Sequence, residues 1–217
     1  MSEPEIDPAE ERVAPPFGPD QIDILPLSIA VEGGLAILAI LGGWLLGIDV
    51  NGQLNLDEVW DMKTSLTVAK QTVLGLLPML GLLVSIEWLP FKPLVELRQF
   101  GRTQLTPLFK DVPIGGLLVI GLMAGLGEEL LFRGLIQTAF SHWMPVWLAI
   151  ILVGILFGVM HYVTVAYAVI AGLMGCYLGW LFLVSENIWV PILAHGIYDV
   201  VAFLYLRFQF TMSAQKN

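Results

Sequence analysis

The sequence predicts an all-α membrane protein, a polytopic helical bundle of about six transmembrane helices. Three observations carry this expectation. Of 217 residues, 57% are hydrophobic and only 13% charged, whereas a soluble domain carries about a quarter charged residues. The mean hydropathy is +0.79. The apolar residues also fall into runs of about 20, the length that crosses a hydrocarbon core as a helix. Helices are the expected form of such runs, because lipid offers no partner to an open backbone.

The elements follow in chain order. Residues 1–24 are rich in acids and proline and lack apolar periodicity, which predicts a disordered acidic tail. The stretch has neither the basic start nor the cleavage site of a secretory signal. The first span is expected over Leu25–Ile48 and the second over Leu66–Leu89, with a polar loop, Asp49–Thr64, between them. Pro90–Asp111 is the most basic stretch, with Lys92, Arg98, Arg102 and Lys110. Spans three to six are expected over Val112–Phe140, Met144–Tyr162, Val165–Val184 and Ile188–Leu206, and residues 208–217 form a short tail. Lys and Arg mark the cytoplasmic side of a membrane protein. The basic loop, and with six spans both termini, are therefore expected in the cytoplasm of a multi-pass cell-membrane protein. Four small-residue pairs, Gly43/Gly47, Gly121/Gly125, Gly154/Gly158 and Gly175/Gly179, are read as close helix packing. The net charge of −9 and pI of 4.6 argue against nucleic acid as a partner. Cys176 is the single cysteine, which excludes an intrachain disulfide and a thiolate metal cluster.

Ionisable groups inside apolar spans are costly and mark candidate functional residues. Glu32, Lys70 and Glu87 lie near span ends, where they are expected to snorkel or stay wet. Span three carries Gly127-Glu128-Glu129-Leu130-Leu131-Phe132-Arg133. Glu129 and Arg133 are four apart on one helical face, in the favourable acid-before-base order, and are expected to form a structural ion pair. Glu128 points about 100° away and is left free to act as a base. A buried ion-pair network that only fixes helix packing is the bland alternative, and a second acid next door fits it poorly. Span four carries Phe157-x-x-x-His161. A lone intramembrane His is more often a hydrogen-bonded core residue than a catalyst. Span six carries His195 and Asp199, again four apart, which a simple His–Asp hydrogen bond would also explain. His142, in a short polar loop, needs no role. The groups converge only if the helices bundle. Counted along the spans, Glu128 lies deep while His161 lies near the end of its helix, so a shared depth is not evident from the sequence.

The trio Glu128-Glu129-x-x-x-Arg133, Phe157-x-x-x-His161 and His195-x-x-x-Asp199 resembles the three motifs of the CPBP family, the CAAX-processing intramembrane glutamic endopeptidases related to Ras-converting enzyme. The resemblance covers about Leu117 to Phe203, and three motifs in order on successive spans make a specific signal. Spans one and two carry no motif, so residues 25–111 are read as two N-terminal transmembrane helices and a basic cytoplasmic loop, and 112–207 as the four-helix catalytic core that the resemblance implies. The resemblance further implies that Glu128 is the general base, that His161 helps hold the water, and that His195 and position 199 form the oxyanion site. The family usually has Asn at that last position, and Asp199 departs from it.

The enzyme reading is hydrolysis of a peptide bond in a membrane-associated substrate by a Glu/His-activated water, with no cofactor. A zinc site made by Glu128, Glu129, His161 and His195 is a second reading. It ranks lower because the chain lacks an H-E-x-x-H helix. A third is a non-catalytic protein of the same fold, acting in peptide (bacteriocin) immunity or as a membrane scaffold. No Ser or Cys in the polar spans has a neighbouring base, which disfavours a covalent mechanism. The sequence does not assign an oligomeric state.

Overall fold

The computed structural model describes residues 23–55 and 61–214, with side chains described to residue 208. The predicted acidic tail, apart from Asp23 and Ile24, lies outside the described residues. Among those residues every regular element is helical. Helix α1 spans Ile24–Leu46 and α2 spans Val50–Gln53. Helix α3 spans Met62–Trp88. Helix α4 starts as Lys92–Phe100, passes through a π-helical turn, Gly101–Leu105, and ends as Thr106–Phe109. Helix α5 runs Ile114–Glu129, widens into a π-helical stretch, Leu130–Gln137, and closes as Thr138–Ser141. Helices α6, α7 and α8 span Val146–Met160, Val165–Ser185 and Trp189–Ala214. The last helix thus continues past the expected end at Leu206.

Five of these helices, α1, α3, α5, α7 and α8, are long and apolar enough to cross a membrane. Helix α6 is the exception to the six expected full-length spans. Its 15 residues reach about 22 Å, less than the roughly 30 Å of a hydrocarbon core. Pro145 precedes it with extended ψ and so delays its start, and the chain leaves the helix at His161.

Local chemistry sets most of the boundaries. Asp23 caps α1 by accepting from the Leu25 N–H at 3.2 Å, and Gly47 ends the helix at φ +70, a left-handed conformation that costs glycine nothing. Gly47 is therefore a cap rather than a packing residue. Asp61 caps α3 by accepting from the backbone N–H and the hydroxyl of Thr64 at 2.8 and 2.9 Å, and these bonds hold its carboxyl below the usual range. Thr164 caps α7 through the Tyr167 N–H at 3.1 Å.

The stretch after α1 is less polar in place than in composition. Ile48 and Val50 are buried in a cluster with Leu130, Leu135 and Ile188. Gln53 donates to the Gly134 carbonyl at 3.0 Å, and Trp189 Nε1 to the Leu54 carbonyl at 2.6 Å. In the basic segment, Arg98 donates to the carbonyls of Ile86 and Leu89, and Arg102 pairs with Glu87. Glu87 thus has a cationic partner rather than only solvent.

Two close crossings position the functional region. A Cβ on Gly125 would lie 2.5 Å from the Ile192 carbonyl and 2.6 Å from the Gly196 nitrogen, so α5 and α8 touch backbone to backbone. A Cβ on Gly158 would lie 2.4 Å from the Ala168 carbonyl, and α6 and α7 meet in the same way. Small residues serve this purpose where lipid supplies no hydrophobic drive between helices. The outer faces carry large exposed apolar side chains, among them Leu41 and Trp44 on α1 and Ile151, Ile155 and Val159 on α6. An apolar surface this continuous belongs against lipid.

Candidate functional site

The residues singled out on three different spans come together. His161 Nε2 lies 3.5 Å from Glu128 Oε1, and His195 Nε2 lies 3.9 Å from Glu128 Oε2. His195 Nε2 is also 3.6 Å from Asp199 Oδ2. The depth mismatch between Glu128 and His161 disappears when both are counted from the turn that joins their helices. Glu128 lies 13 residues before Ser141, and His161 lies 15 residues after Val146. The two counts are similar, and the 3.5 Å contact puts both groups at one depth. The mismatch arose from treating both ends of α6 as membrane faces, and α6 is too short for that.

The Phe157-x-x-x-His161 spacing has a direct cause. His161 Nδ1 lies 2.9 Å from the Phe157 carbonyl, one helical turn back. A carbonyl only accepts, so Nδ1 carries the proton and Nε2 turns toward Glu128. The Phe157 ring stacks on His161 with centroids 4.3 Å apart, and the Arg133 guanidinium sits 5.1 Å from the same ring. That placement is a cation–π contact. One phenylalanine therefore orients the imidazole and shelters the arginine.

The expected Glu129–Arg133 pair forms at 2.9 Å, with both side chains fully buried. Arg133 also donates to the Gly175 carbonyl of α7 at 2.7 Å. Glu129 does more than the sequence reading assigned to it. Its Oε1 lies 2.8 Å from His195 Nδ1. The bland alternative of a His195–Asp199 hydrogen bond does not hold, since 3.6 Å is too long for such a bond, and the His195 ring bonds Glu129 instead. The reason is geometric. Asp199 is a neighbour on the same helix, whereas Glu129 meets the ring head-on where Gly125 lets α5 and α8 approach. Glu129 Oε1 accepts from Arg133, so at the same oxygen His195 Nδ1 donates, and Nε2 faces Glu128 and Asp199.

Glu32 was expected to snorkel or stay wet near the span end, whereas its Oε2 is buried. It lies within α1 as the only ionisable residue of Ile24–Leu46, and its backbone carbonyl faces Gly127, where an added Cβ would sit 2.3 Å away. Its isolation in an apolar run was the available signal. Gln137 was passed over as well. It is buried and donates to the Gly179 carbonyl at 3.0 Å, a second tie between α5 and α7. His142 is exposed, as its loop position suggests.

The arrangement offers a buried carboxylate, Glu128, whose Oε2 has no hydrogen-bond partner, between two oriented imidazoles. Such a cluster can take a proton from a small molecule held in the gap and stabilise charge that develops beside it. Among the described residues no three His, Cys, Asp or Glu side chains are arranged to hold a metal ion.

A family model described as type II CAAX prenyl endopeptidase, Rce1-like, matches residues 110–201. No curated protein matches the chain, and no solved structure does.

Proposed function

We propose, from the match of residues 110–201 to the type II CAAX prenyl endopeptidase model, that the chain is an intramembrane endopeptidase in which Glu128 and His161 activate a water. One observation carries this reading. Glu128 Oε1 and His161 Nε2 face each other at 3.5 Å. His161 Nδ1 is committed to the Phe157 carbonyl, so in the neutral ring Nε2 is an acceptor, as the carboxylate is. Two acceptors at this distance repel. A water donating one O–H to each satisfies both and is held with its oxygen free to attack.

In the reaction, the water oxygen adds to the carbonyl carbon of the scissile bond while Glu128 takes one of its protons. The carbonyl π electrons move onto the oxygen. His195, doubly protonated and balanced by Glu129, directs Nε2–H at that oxyanion. Collapse of the tetrahedral species breaks the C–N bond as Glu128 returns the proton to the leaving nitrogen. The products are a carboxyl terminus and an amine. Catalysis by this route needs no covalent intermediate and no cofactor. Oxyanion donors of this kind are each worth about a hundredfold or more in rate.

Asp199 stands where the resemblance expects Asn. An ionised carboxylate there opposes charge on the oxyanion, so in this scheme Asp199 contributes as a neutral donor. Residues 112–207 form the catalytic unit, and residues 25–111 supply two flanking helices and the basic segment. The substrate is a membrane-associated peptide or protein, and the protein sits in the cell membrane with both termini cytoplasmic.

The deciding experiment compares membrane peptidomes of cells carrying the wild-type chain and Glu128→Gln at equal abundance. A cleavage product present only with the wild type is expected, and activity of the purified protein should persist in chelators. An unchanged peptidome together with full biological effect from Glu128→Gln would instead favour the non-catalytic immunity or scaffold role. Loss of activity in chelator, restored by stoichiometric zinc, would favour the metal reading.

A further inference from the structure

The matched segment begins at residue 110, yet α1, which lies outside it, packs its backbone at Glu32 against Gly127, beside Glu128. In that helix Glu32 is the one ionisable residue, set in an otherwise largely apolar run. A lone carboxyl in such a helix is costly unless something faces it. What faces it is the site. The Glu32 carboxyl lies within electrostatic reach of Glu128 on α5, of His195 and Asp199 on α8, and of His161 at the end of α6. The approach is enforced by the backbone, since the Glu32 carbonyl packs on Gly127, the residue before Glu128. Yet Glu32 Oε2 is buried and has no hydrogen-bond partner. The neighbouring lipid-facing positions, Ile29, Val31 and Ile37, are exposed, so the helix has turned its one ionisable side chain inward.

A buried acceptor without a donor destabilises a fold, and an apolar residue of similar shape at the same position does not. Its presence beside a site that handles peptide bonds has a direct chemical counterpart. An extended peptide presents backbone N–H donors at regular intervals on both sides of the bond to be cut. We infer that Glu32 is a substrate-contacting specificity residue that accepts a hydrogen bond from a backbone N–H of the peptide next to the scissile bond. The inference rests on the endopeptidase reading for what the peptide undergoes, but the contact itself is a binding contact.

The test combines a change in the protein with a change in the peptide. The probes are an apolar membrane peptide that the protein binds and a series in which each backbone N–H in turn is replaced by N–CH₃. Affinity is measured on the full-length protein in detergent, with turnover recorded in parallel. Glu32→Met, of similar length and without a polar atom, is expected to accumulate at least as well as the wild type and to bind the parent peptide about tenfold more weakly. At one position, N-methylation should weaken wild-type binding about tenfold and have no further effect in Glu32→Met. Its kcat should change less than its KM, because the contact is made in both ground and transition states.

If the two effects add at every position, Glu32 touches no backbone N–H and the inference fails. If Glu32→Met does not accumulate, the scan on Glu32→Gln decides in its place, with the same coupling expected at reduced size. Lost coupling to a lysine side chain, rather than to any N–H, would also overturn it, in favour of a cation contact. Wild-type binding without any cleavage would refute the endopeptidase reading, and the binding scan would still decide the role of Glu32.

Discussion

Glu129 offers the sharpest separation of structural from chemical roles. Its Oε1 accepts from Arg133 at 2.9 Å and lies 2.8 Å from His195 Nδ1, with Arg133 and Glu129 fully buried. Glu129→Gln keeps the shape but leaves the Arg133 charge without its counter-ion. Breaking a buried pair by removing one partner costs about 3–5 kcal/mol, against a total stability on the order of 5–15 kcal/mol. For a chain of this size each kcal/mol moves the midpoint by about 2–4 °C. A drop of roughly 6–20 °C is therefore expected, read by fluorescence-detected size exclusion after heating. Glu129→Gln combined with Arg133→Met removes both charges, and an apolar replacement of a buried pair is often neutral. The double variant should regain most of the wild-type midpoint. Its peptide hydrolysis per folded molecule should nevertheless stay about a hundredfold low, because His195 has lost the carboxylate that supports its charge opposite the oxyanion. A double variant with both wild-type stability and wild-type activity would refute this reasoning and leave Glu129 as a partner of Arg133 alone.

Three further outcomes are expected. Asp199→Asn should retain activity within a few-fold, because His195 is held by Glu129 and not by Asp199; a collapse with normal accumulation would show that Asp199 carries the charge of His195. Gly125→Val should lower the thermal midpoint by an overpacking cost of about 1–3 kcal/mol and depress activity, since its Cβ would press on Ile192 and Gly196 of the helix that carries His195. Gly34→Val, with open space at the Cβ position, is the control, and equal effects of the two would sink the argument. Reporter fusions should place both termini and the Lys92–Lys110 segment on the cytoplasmic face, and termini on opposite faces would mean that short α6 does not carry the chain across.

The helical bundle was legible from the apolar runs alone, since lipid leaves a backbone few other options. So was the Glu129–Arg133 pair, because residues four apart on one helix meet whatever the tertiary structure. Contacts between helices were not legible in this way. Spacing along α8 suggested Asp199 as the partner of His195, whereas the partner is Glu129 on α5, and only the crossing at Gly125 decides that. The π-helical widening over Leu130–Gln137 left no mark in residue types, since its side chains suit an α-helix equally well. The burial of Glu32 Oε2 was not legible, because a charge early in a span looks like a snorkelling group until the opposing backbone, at Gly127, is known.

The shortness of α6 has a consequence for the surrounding lipid. A helix of about 22 Å set in a film of about 30 Å leaves roughly 8 Å unmatched on one side. His161 lies at the truncated end, with Tyr162 and Val163 exposed beyond it. Either the leaflet thins at that spot or headgroups and solvent sink to meet the turn, as happens around any undersized span. Both responses bring the aqueous boundary down toward Glu128 from one leaflet only. Under the proposed hydrolysis, the water then comes from a local dimple in the membrane surface, without a pore that would leak ions from one compartment to the other.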